Sequence, residues 1–189
     1  NGTDLNDVFV KQKIQEILPL EDIEQIILTH EHFDHVGGVK KIYDSIKDVC
    51  KVFAHKNAVE KIENGDSAFA GMLGGITPKM PIDIKLNDGD NLTIGDEEFI
   101  VYHTPGHTPG CICLYNEEMS VIFSGDTIFS HGSFGRYDFP GGDPRELRKS
   151  IERLSALDVK NLYPGHESIV EGDGNRHMKM TLRNSSYLI

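Results

Sequence analysis

Hydrophobic and polar positions along the first third of the chain follow two different periods. Residues 7–18 and 36–47 place apolar side chains every three to four positions, which predicts two helices. Residues 23–29 and 49–54 are short apolar runs rich in β-branched side chains, which are typical of buried strands. With a further short helix at 57–62, this alternation predicts a sheet covered by helices.

From residue 82 onwards the pattern favours strands separated by turns that contain Gly and Asp. One clear helix interrupts them. Asp143 is its predicted N-cap, Pro144 its first residue and Glu146 its third, which is a capping-box arrangement. A weaker helical spacing follows at 175–189. The predicted strands are residues 99–103, 111–115, 120–124 and 159–163.

The segment between these two patterns, residues 64–81, follows no period and is dense in Gly and Pro. Segments of this length and composition often form lids or binding loops, and a plain surface loop is the alternative. We find no internal repeat and no linker. The sequence therefore predicts one α/β domain over residues 1–189.

The composition of the chain disfavours two classes of binding partner, nucleic acids and membranes. The chain has 189 residues, 19 of them basic and 30 acidic, and a formal net charge of −11, which disfavours binding to nucleic acid. No apolar run approaches the roughly 20 residues that span a bilayer, so we expect no membrane partner. Three cysteines without a disulfide framework favour a reducing compartment, the cytoplasm. Nothing in the sequence indicates an oligomeric state.

The densest chemistry directly follows the first predicted strand. His30, His32, Asp34 and His35 lie within six residues, and imidazole and carboxylate groups are natural ligands for zinc and related divalent ions. In an extended backbone the side chains at 30, 32 and 34 point the same way. A turn at His35, eased by the two glycines that follow, brings the fourth group to the same side. This cluster predicts a metal site.

Three further candidate ligands each follow a glycine at the end of a predicted strand. They are His107 in TPGHTPG, Asp126 in SGDT and His166 in YPGHE. Glycine lets the backbone turn sharply and approach a crowded centre. Together with the first cluster they make five histidines and two aspartates, more than one tetrahedral ion needs. The set suits two ions that share a bridging carboxylate.

In combination, the motifs HEHFDH, TPGHTPG, GDTIF and YPGH resemble the metallo-β-lactamase superfamily. Residues 124–143 are similar to its glyoxalase II-like branch, and the resemblance runs from residue 2 to about residue 170. It implies an α/β fold, an αβ/βα four-layer sandwich with metals at one edge. The family usually opens with a β-hairpin, and this chain begins at the turn that follows it. We therefore expect the opening strands to be lacking or to be supplied elsewhere, with residues 183–188 as a minor candidate.

The resemblance also implies which residues hold each ion, a division that the spacing alone does not provide. Zinc is the expected metal, with iron and manganese as alternatives, because histidine and carboxylate accept all three. The implied ligands are His30, His32 and His107 on the first ion, Asp34, His35 and His166 on the second, and Asp126 as the bridge.

The implied activity is hydrolysis of an ester-like bond in a small molecule, above all a thioester, as in hydroxyacylglutathione hydrolases. Two cations at a shared water lower its pKa from 15.7 toward about 7, so hydroxide forms at neutral pH and no serine or cysteine nucleophile is needed. We expect Asp34 both to ligate metal and to orient this hydroxide. The sequence after His166 is short beside the helical glutathione-binding domain of full glyoxalase II. The thiol portion of the substrate is therefore open.

Two other function classes compete with hydrolysis. Persulfide dioxygenases share the fold and the histidine run but hold one iron through residues that match His30, His107 and Asp126. Because this chain retains all seven ligands of a two-metal site, hydrolysis is favoured over the dioxygenase function. A non-catalytic, metal-stabilised module is the third class. Structural zinc sites are closed by four ligands and favour thiolates, which this ligand set lacks.

Several neighbours of the candidate ligands have open roles. Arg136 and Tyr137 lie in a glycine-rich loop after Asp126 and are candidate contacts to an anionic substrate group. The alternative is that they pin this loop to Asp138 or Asp143.

Among the remaining polar residues, His55 is predicted to support a ligand or to begin a helix, and His131 to lie in a loop or to contact substrate. His177 is assigned to the tail. Glu31 and Phe33 alternate with ligands, so we expect them to face solvent and core respectively. Two cysteines, Cys111 and Cys113, are predicted to lie in the core.

Overall fold

The computed structural model describes residues 7–66 and 77–188. The chain divides into two compact units, Asn1–Leu86 and Asn87–Ile189, each with its own sheet. Most of the irregular segment predicted at 64–81 lies outside the described residues. In the part of the chain that is described, no helix has the length and apolar character needed to cross a membrane.

The first unit contains a three-stranded parallel sheet in the order β1-β2-β3. The helix predicted at 36–47 is wrong in its boundaries. Two short helices flank Gly37 and Gly38, whose low helix propensity interrupts a continuous helix here. The elements are α1 (Asp7–Gln15), β1 (Gln25–Leu28), α2 (Phe33–Val36), α3 (Val39–Ile46), β2 (Lys51–His55), α4 (Lys56–Asn64) and β3 (Ile84–Leu86).

The core of this unit lies between its sheet and its helices. Four consecutive residues of β2 are buried, which shows that both faces of the central strand are covered. This agrees with the predicted alternation of strands and helices. The buried cluster includes Leu28, Val36, Val39, Val52, Ala54, Ala58, Val59 and Ile62.

The second unit contains a five-stranded sheet in the order β4-β5-β6-β7-β8. Neighbouring strands are antiparallel except for the last pair, β7 and β8, which run parallel. All four strands predicted in this half are present, with boundaries shifted by up to two residues. The elements are β4 (Asn91–Ile94), β5 (Glu97–His103), β6 (Ile112–Asn116), β7 (Val121–Gly125), α5 (Pro144–Leu154), β8 (Asn161–Pro164) and α6 (Gly174–Asn184).

Helix α5 begins as predicted, with Asp143 as its N-cap. Its carboxylate accepts the backbone N–H groups of Arg145, at 2.8 Å, and Glu146, at 3.1 Å. In a complete capping box the side chain of Glu146 also accepts the backbone N–H of Asp143. This bond does not form, because that N–H donates instead to the carbonyl of Gly106 at 2.9 Å. The cap therefore also ties α5 to the turn that contains His107.

The core of the second unit lies between its sheet and helices α5 and α6. The predicted stripe of α5, Leu147, Ile151 and Leu154, is fully buried and packs with Met178 of α6. Residues 183 and 184 end α6, and a 3₁₀ turn follows at Ser185–Tyr187, so this segment is not the strand that the sequence offered as a minor candidate.

The three thiols are buried, as predicted for Cys111 and Cys113. Burial raises the pKa of Cys113 to about 11 and raises the pKa of Cys50 as well. Since the thiolate is the reactive form, we expect native protein at pH 8 to react very slowly with a chromogenic disulfide reagent. Addition of urea should release three equivalents per chain. Equally fast labelling of native and unfolded protein would contradict this burial.

Candidate metal centre

The first group of candidate ligands follows β1. Residues 30–32 belong to no helix or strand, and Asp34 and His35 lie on α2. The prediction of an extended backbone through residue 34 is wrong. The carbonyl of His32 accepts the N–H groups of His35 and Val36, both at 3.0 Å, so a helical turn begins there. The helical turn brings His35 back toward His30.

The four side chains of this group lie close together within the first unit. The ring centroid of His30 is 4.9 Å from that of His32 and 4.1 Å from that of His35. An oxygen of Asp34, Oδ2, lies 3.6 Å from Nε2 of His35. The three imidazoles are buried, whereas the Asp34 side chain is 30% exposed. This is a compact set of imidazole and carboxylate donors.

The second group lies within the second unit and centres on Asp126. Its Oδ2 atom is 3.5 Å from Nε2 of His107 and 3.4 Å from Nε2 of His166. His107 and Asp126 are buried, and His166 is exposed. One carboxylate oxygen therefore lies beside two imidazoles, the arrangement expected of a carboxylate that can bridge ions.

Strand topology explains why these three residues meet. Because β7 and β8 are parallel neighbours, the residues that follow them, Asp126 and His166, emerge at the same edge of the sheet. His107 lies in the turn between β5 and β6. A hydrogen bond of 2.9 Å between the hydroxyls of Thr104 and Thr127 joins this turn to the segment after β7.

The protonation of His107 is set by its backbone partner. Its Nδ1 lies 2.5 Å from the carbonyl oxygen of Arg136, and since a carbonyl only accepts, Nδ1 bears the proton. The other ring nitrogen, Nε2, then lies toward Asp126, 3.5 Å from its Oδ2 atom. Donation from the second ring nitrogen to a carbonyl is the usual support of a metal-binding histidine.

Gly135 is a supporting residue that sequence reasoning missed. A Cβ atom at this position would lie 2.0 Å from the carbonyl oxygen of Asp126 and 3.0 Å from Nδ1 of His107. Only glycine allows the chain to approach both ligands so closely. The feature of the sequence that could have indicated Gly135 is its position directly before Arg136, a candidate substrate contact.

These observations test whether the residues suit a metal. Both groups combine imidazole and carboxylate, the donors that zinc, iron and manganese accept. His107 directs Nε2 toward a carboxylate oxygen of Asp126, and that oxygen lies beside two imidazoles. Each group by itself therefore fits a divalent ion. That all seven residues serve one pair of ions stays a prediction.

The loop after Asp126 shows how Arg136 and Tyr137 are held. The guanidinium of Arg136 donates to both oxygens of Asp138, at 2.9 and 2.6 Å, and lies 4.3 Å from the ring centroid of Phe139. The hydrogen bond between these charged groups raises the pKa of Arg136 and lowers that of Asp138. Tyr137 packs against the core of the second unit. Arg136 and Tyr137 also line a cleft of about 390 Å³.

Glu31 corrects the expectation that it faces solvent. Its side chain is 1% exposed, and an oxygen accepts a hydrogen bond from Nζ of Lys61 on α4 at 3.1 Å. Phe33, expected in the core, is half-buried. The alternation argument failed here because residues 33–36 are helical, and because the partner of Glu31 comes from a distant part of the sequence.

Three further histidines make local contacts. His55 is the N-cap of α4, where Nδ1 accepts the N–H of Asn57 at 3.3 Å, which confirms its helix-start role. His131 lies in a loop with a φ of 57°, and its N–H donates to Nδ1 of His177 at 2.8 Å. His177 is buried on α6 rather than in a loose tail. Its burial lowers its pKa, and nearby His131 lowers that pKa further.

Comparison with known proteins identifies relatives of this chain. The family profile described as metallo-beta-lactamase superfamily matches residues 6–166. An uncharacterized protein of Aquifex aeolicus is 41% identical over 146 residues, which make up 76% of this chain and 66% of that protein. A hydroxyacylglutathione hydrolase of Pseudomonas savastanoi pv. phaseolicola is 33% identical over 149 residues, 77% of this chain and 48% of that enzyme. The chain thus spans about half the length of this hydrolase.

Solved structures agree with these relatives. The crystal structure of TTHA1623 in a di-iron-bound form matches with a TM-score of 0.73 and 32% identity, covering 97% of this chain and 83% of that one. The predicted α/β fold of the metallo-β-lactamase type is thereby confirmed. The similarity extends over residues of both units.

Proposed function

Since this chain belongs to the metallo-beta-lactamase superfamily, we propose that it is a hydrolase, and specifically a thioester hydrolase that works with two divalent metal ions. The observation that supports this most strongly is the position of Asp126, whose single oxygen Oδ2 lies beside both His107 and His166. A buried carboxylate between two imidazoles suits a shared ligand of two ions.

Seven side chains would hold the ions in this proposal. When bound, two divalent ions supply a hydroxide nucleophile at neutral pH and polarise the carbonyl of the substrate. Zinc is the proposed metal, and the di-iron form of TTHA1623 makes iron the leading alternative. The proposed ligands are His30, His32 and His107 for one ion, Asp34, His35 and His166 for the other, and Asp126 between them.

The chain itself binds and orients the reacting groups. Asp34, with a partly exposed side chain, accepts a hydrogen bond from the attacking water and directs it toward the carbonyl carbon. The carbonyl of Arg136 orients the His107 ring through Nδ1, so that Nε2 points toward Asp126. In the overall reaction a C–O bond forms and the C–S bond breaks. Water supplies the proton that the leaving thiolate takes up.

The substrate is proposed to be a small thioester or ester with an anionic portion near Arg136 and Tyr137. Both residues line the same cleft as Gly135, whose backbone lies close to the carbonyl oxygen of Asp126 and to Nδ1 of His107. Arg136 must then exchange part of its pairing with Asp138 for the substrate anion. The similarity to hydroxyacylglutathione hydrolases supports the thioester class. Three buried thiols suit a reducing cytoplasm.

A substrate panel tests this function. We expect protein depleted of metal to be inactive. After loading with zinc it should release free thiol from acyl thioesters faster than it cleaves matched oxygen esters, lactones or phosphodiesters. Thiol release is followed with a chromogenic disulfide reagent. A fully loaded protein that is inert on the whole panel would contradict the proposal, and oxygen uptake with a persulfide together with one iron per chain would instead support the dioxygenase alternative.

A further inference from the structure

A buried ion pair lies beside the first ligand group. Glu31, which separates His30 from His32 in the sequence, is 1% exposed, and its carboxylate accepts from Nζ of Lys61 at 3.1 Å. The Lys61 side chain is 31% exposed, so the pair reaches from the interior toward the surface. The ligand assignment and the proposed hydrolysis use neither residue.

Burial of the Glu31 carboxylate has a cost in free energy. A buried carboxylate is costly to desolvate, and an apolar residue of similar volume is often at least as stabilising at such a position. Removal of one partner leaves an uncompensated buried charge. We therefore interpret the buried ion pair as a contact that fixes the local conformation of the chain rather than as a source of overall stability. In the sequence, Glu31 lies directly between two candidate metal ligands, His30 and His32.

The segment that contains Glu31 is contacted by a helix from a distant part of the sequence. Residues 30–32 belong to no helix or strand, so no repeating backbone ladder fixes them. Lys61 approaches from α4, thirty positions along the chain. An ion pair to the residue between two histidines restrains both of their backbones at once.

Helix α4, which carries Lys61, is held in the first unit by its two capped ends and its buried apolar face. His55 caps its N-terminus, and Ala58, Val59 and Ile62 bury its apolar face in the core of the first unit. At its C-terminus Gly65 adopts a left-handed conformation with a φ of 67°, and Asp66 donates to the carbonyl of Lys61 at 2.8 Å. The backbone of Lys61 is thus held in place on both sides.

We propose that Lys61 is a positioning residue for the metal centre, and that its ion pair with Glu31 holds the 30–32 segment in the conformation that binds metal. This inference rests on the proposed function, because it assumes that His30 and His32 are ligands. It assigns a role to a pair that the family resemblance does not include. Supporting contacts of this kind typically change metal affinity by about 10–100-fold.

Three variants test the proposal through zinc affinity, measured by competition with a chromogenic chelator. Lys61→Met removes the charge and keeps the length of the side chain, and we expect it to bind zinc about 10–100-fold more weakly. Lys61→Arg restores the charge and is expected to stay within about threefold of wild type. Lys56→Met, at an exposed lysine of the same helix, is the matched control and should leave affinity unchanged.

A purely structural role predicts a different result. In that case Lys61→Met lowers the unfolding temperature of the metal-free protein while zinc affinity equals that of wild type, and this outcome overturns the inference. If Lys61→Met does not fold, the double variant Glu31→Gln with Lys61→Met removes the buried charge and decides the question. Zinc affinity equal to wild type in that double variant also overturns it. Failure of the wild-type protein to bind any metal would instead contradict the proposed function.

Discussion

Substitution of Asp126 by alanine is expected to lower kcat for thioester hydrolysis by more than about 100-fold, since even residues that only support metal ligands typically cost 10–100-fold. Asp126 contributes a buried oxygen that lies 3.5 Å from His107 and 3.4 Å from His166. Its loss removes the carboxylate beside both imidazoles. Asp126→Asn preserves the shape but not the charge and should be similarly impaired. Steady-state kinetics and the metal content of each variant provide the measurement.

The control for Asp126 is an aspartate that lies outside the centre. Asp96 is exposed in the turn between β4 and β5, in the same unit of the chain. Asp96→Ala should retain wild-type kcat and metal content. Full activity in Asp126→Ala, with metal content unchanged, would show that this carboxylate is not a ligand.

Gly106→Ala is expected to have the largest effect on stability. Gly106 adopts a φ of +130°, and a Cβ atom there would lie 2.1 Å from the backbone nitrogen of Leu147 and 2.3 Å from its Cα. The backbone of α5 cannot yield without disturbing the core around Leu147. Strain and overpacking together should lower the free energy of unfolding by roughly 2–6 kcal/mol, as measured by urea denaturation. Because His107 is the next residue, zinc affinity should fall as well.

A second glycine separates backbone strain from steric overlap. Gly89 has a φ of +82°, and a Cβ atom there would meet nothing within 4 Å. Gly89→Ala should therefore cost only the left-handed conformation of a residue with a side chain, about 1–2 kcal/mol. Equal losses in the two variants would show that the approach of Gly106 to α5 does not determine the stability of this turn.

Local features of the sequence were sufficient to predict most of the regular structure. The strands around Val101, Cys113 and Ile122 were predicted from short apolar runs bounded by turns, and helix α5 from the cap at Asp143. The grouping of Asp126 with His166 followed from their positions after strands, because neighbouring parallel strands end at one edge. In each case the signal lies within a few residues of the element it predicts.

The features that were missed depend on contacts between distant residues. Burial of Glu31 requires Lys61, which becomes its neighbour only when α4 packs on the first sheet. His177 was assigned to the tail, because its hydrogen bond to the N–H of His131 joins residues that are far apart in the sequence. The need for glycine at position 135 comes from the nearby carbonyl oxygen of Asp126. No periodicity in the sequence encodes such pairings. They had to come from the tertiary structure.

The metal content of the purified chain, determined by elemental mass spectrometry against protein concentration, tests the central claim most directly. Our account predicts two divalent ions per chain after loading with zinc, and fewer in Asp126→Ala. A single iron that resists loading with a second ion would contradict the dinuclear centre, and a chain that retains no metal at all would contradict a metal-dependent hydrolase of any kind.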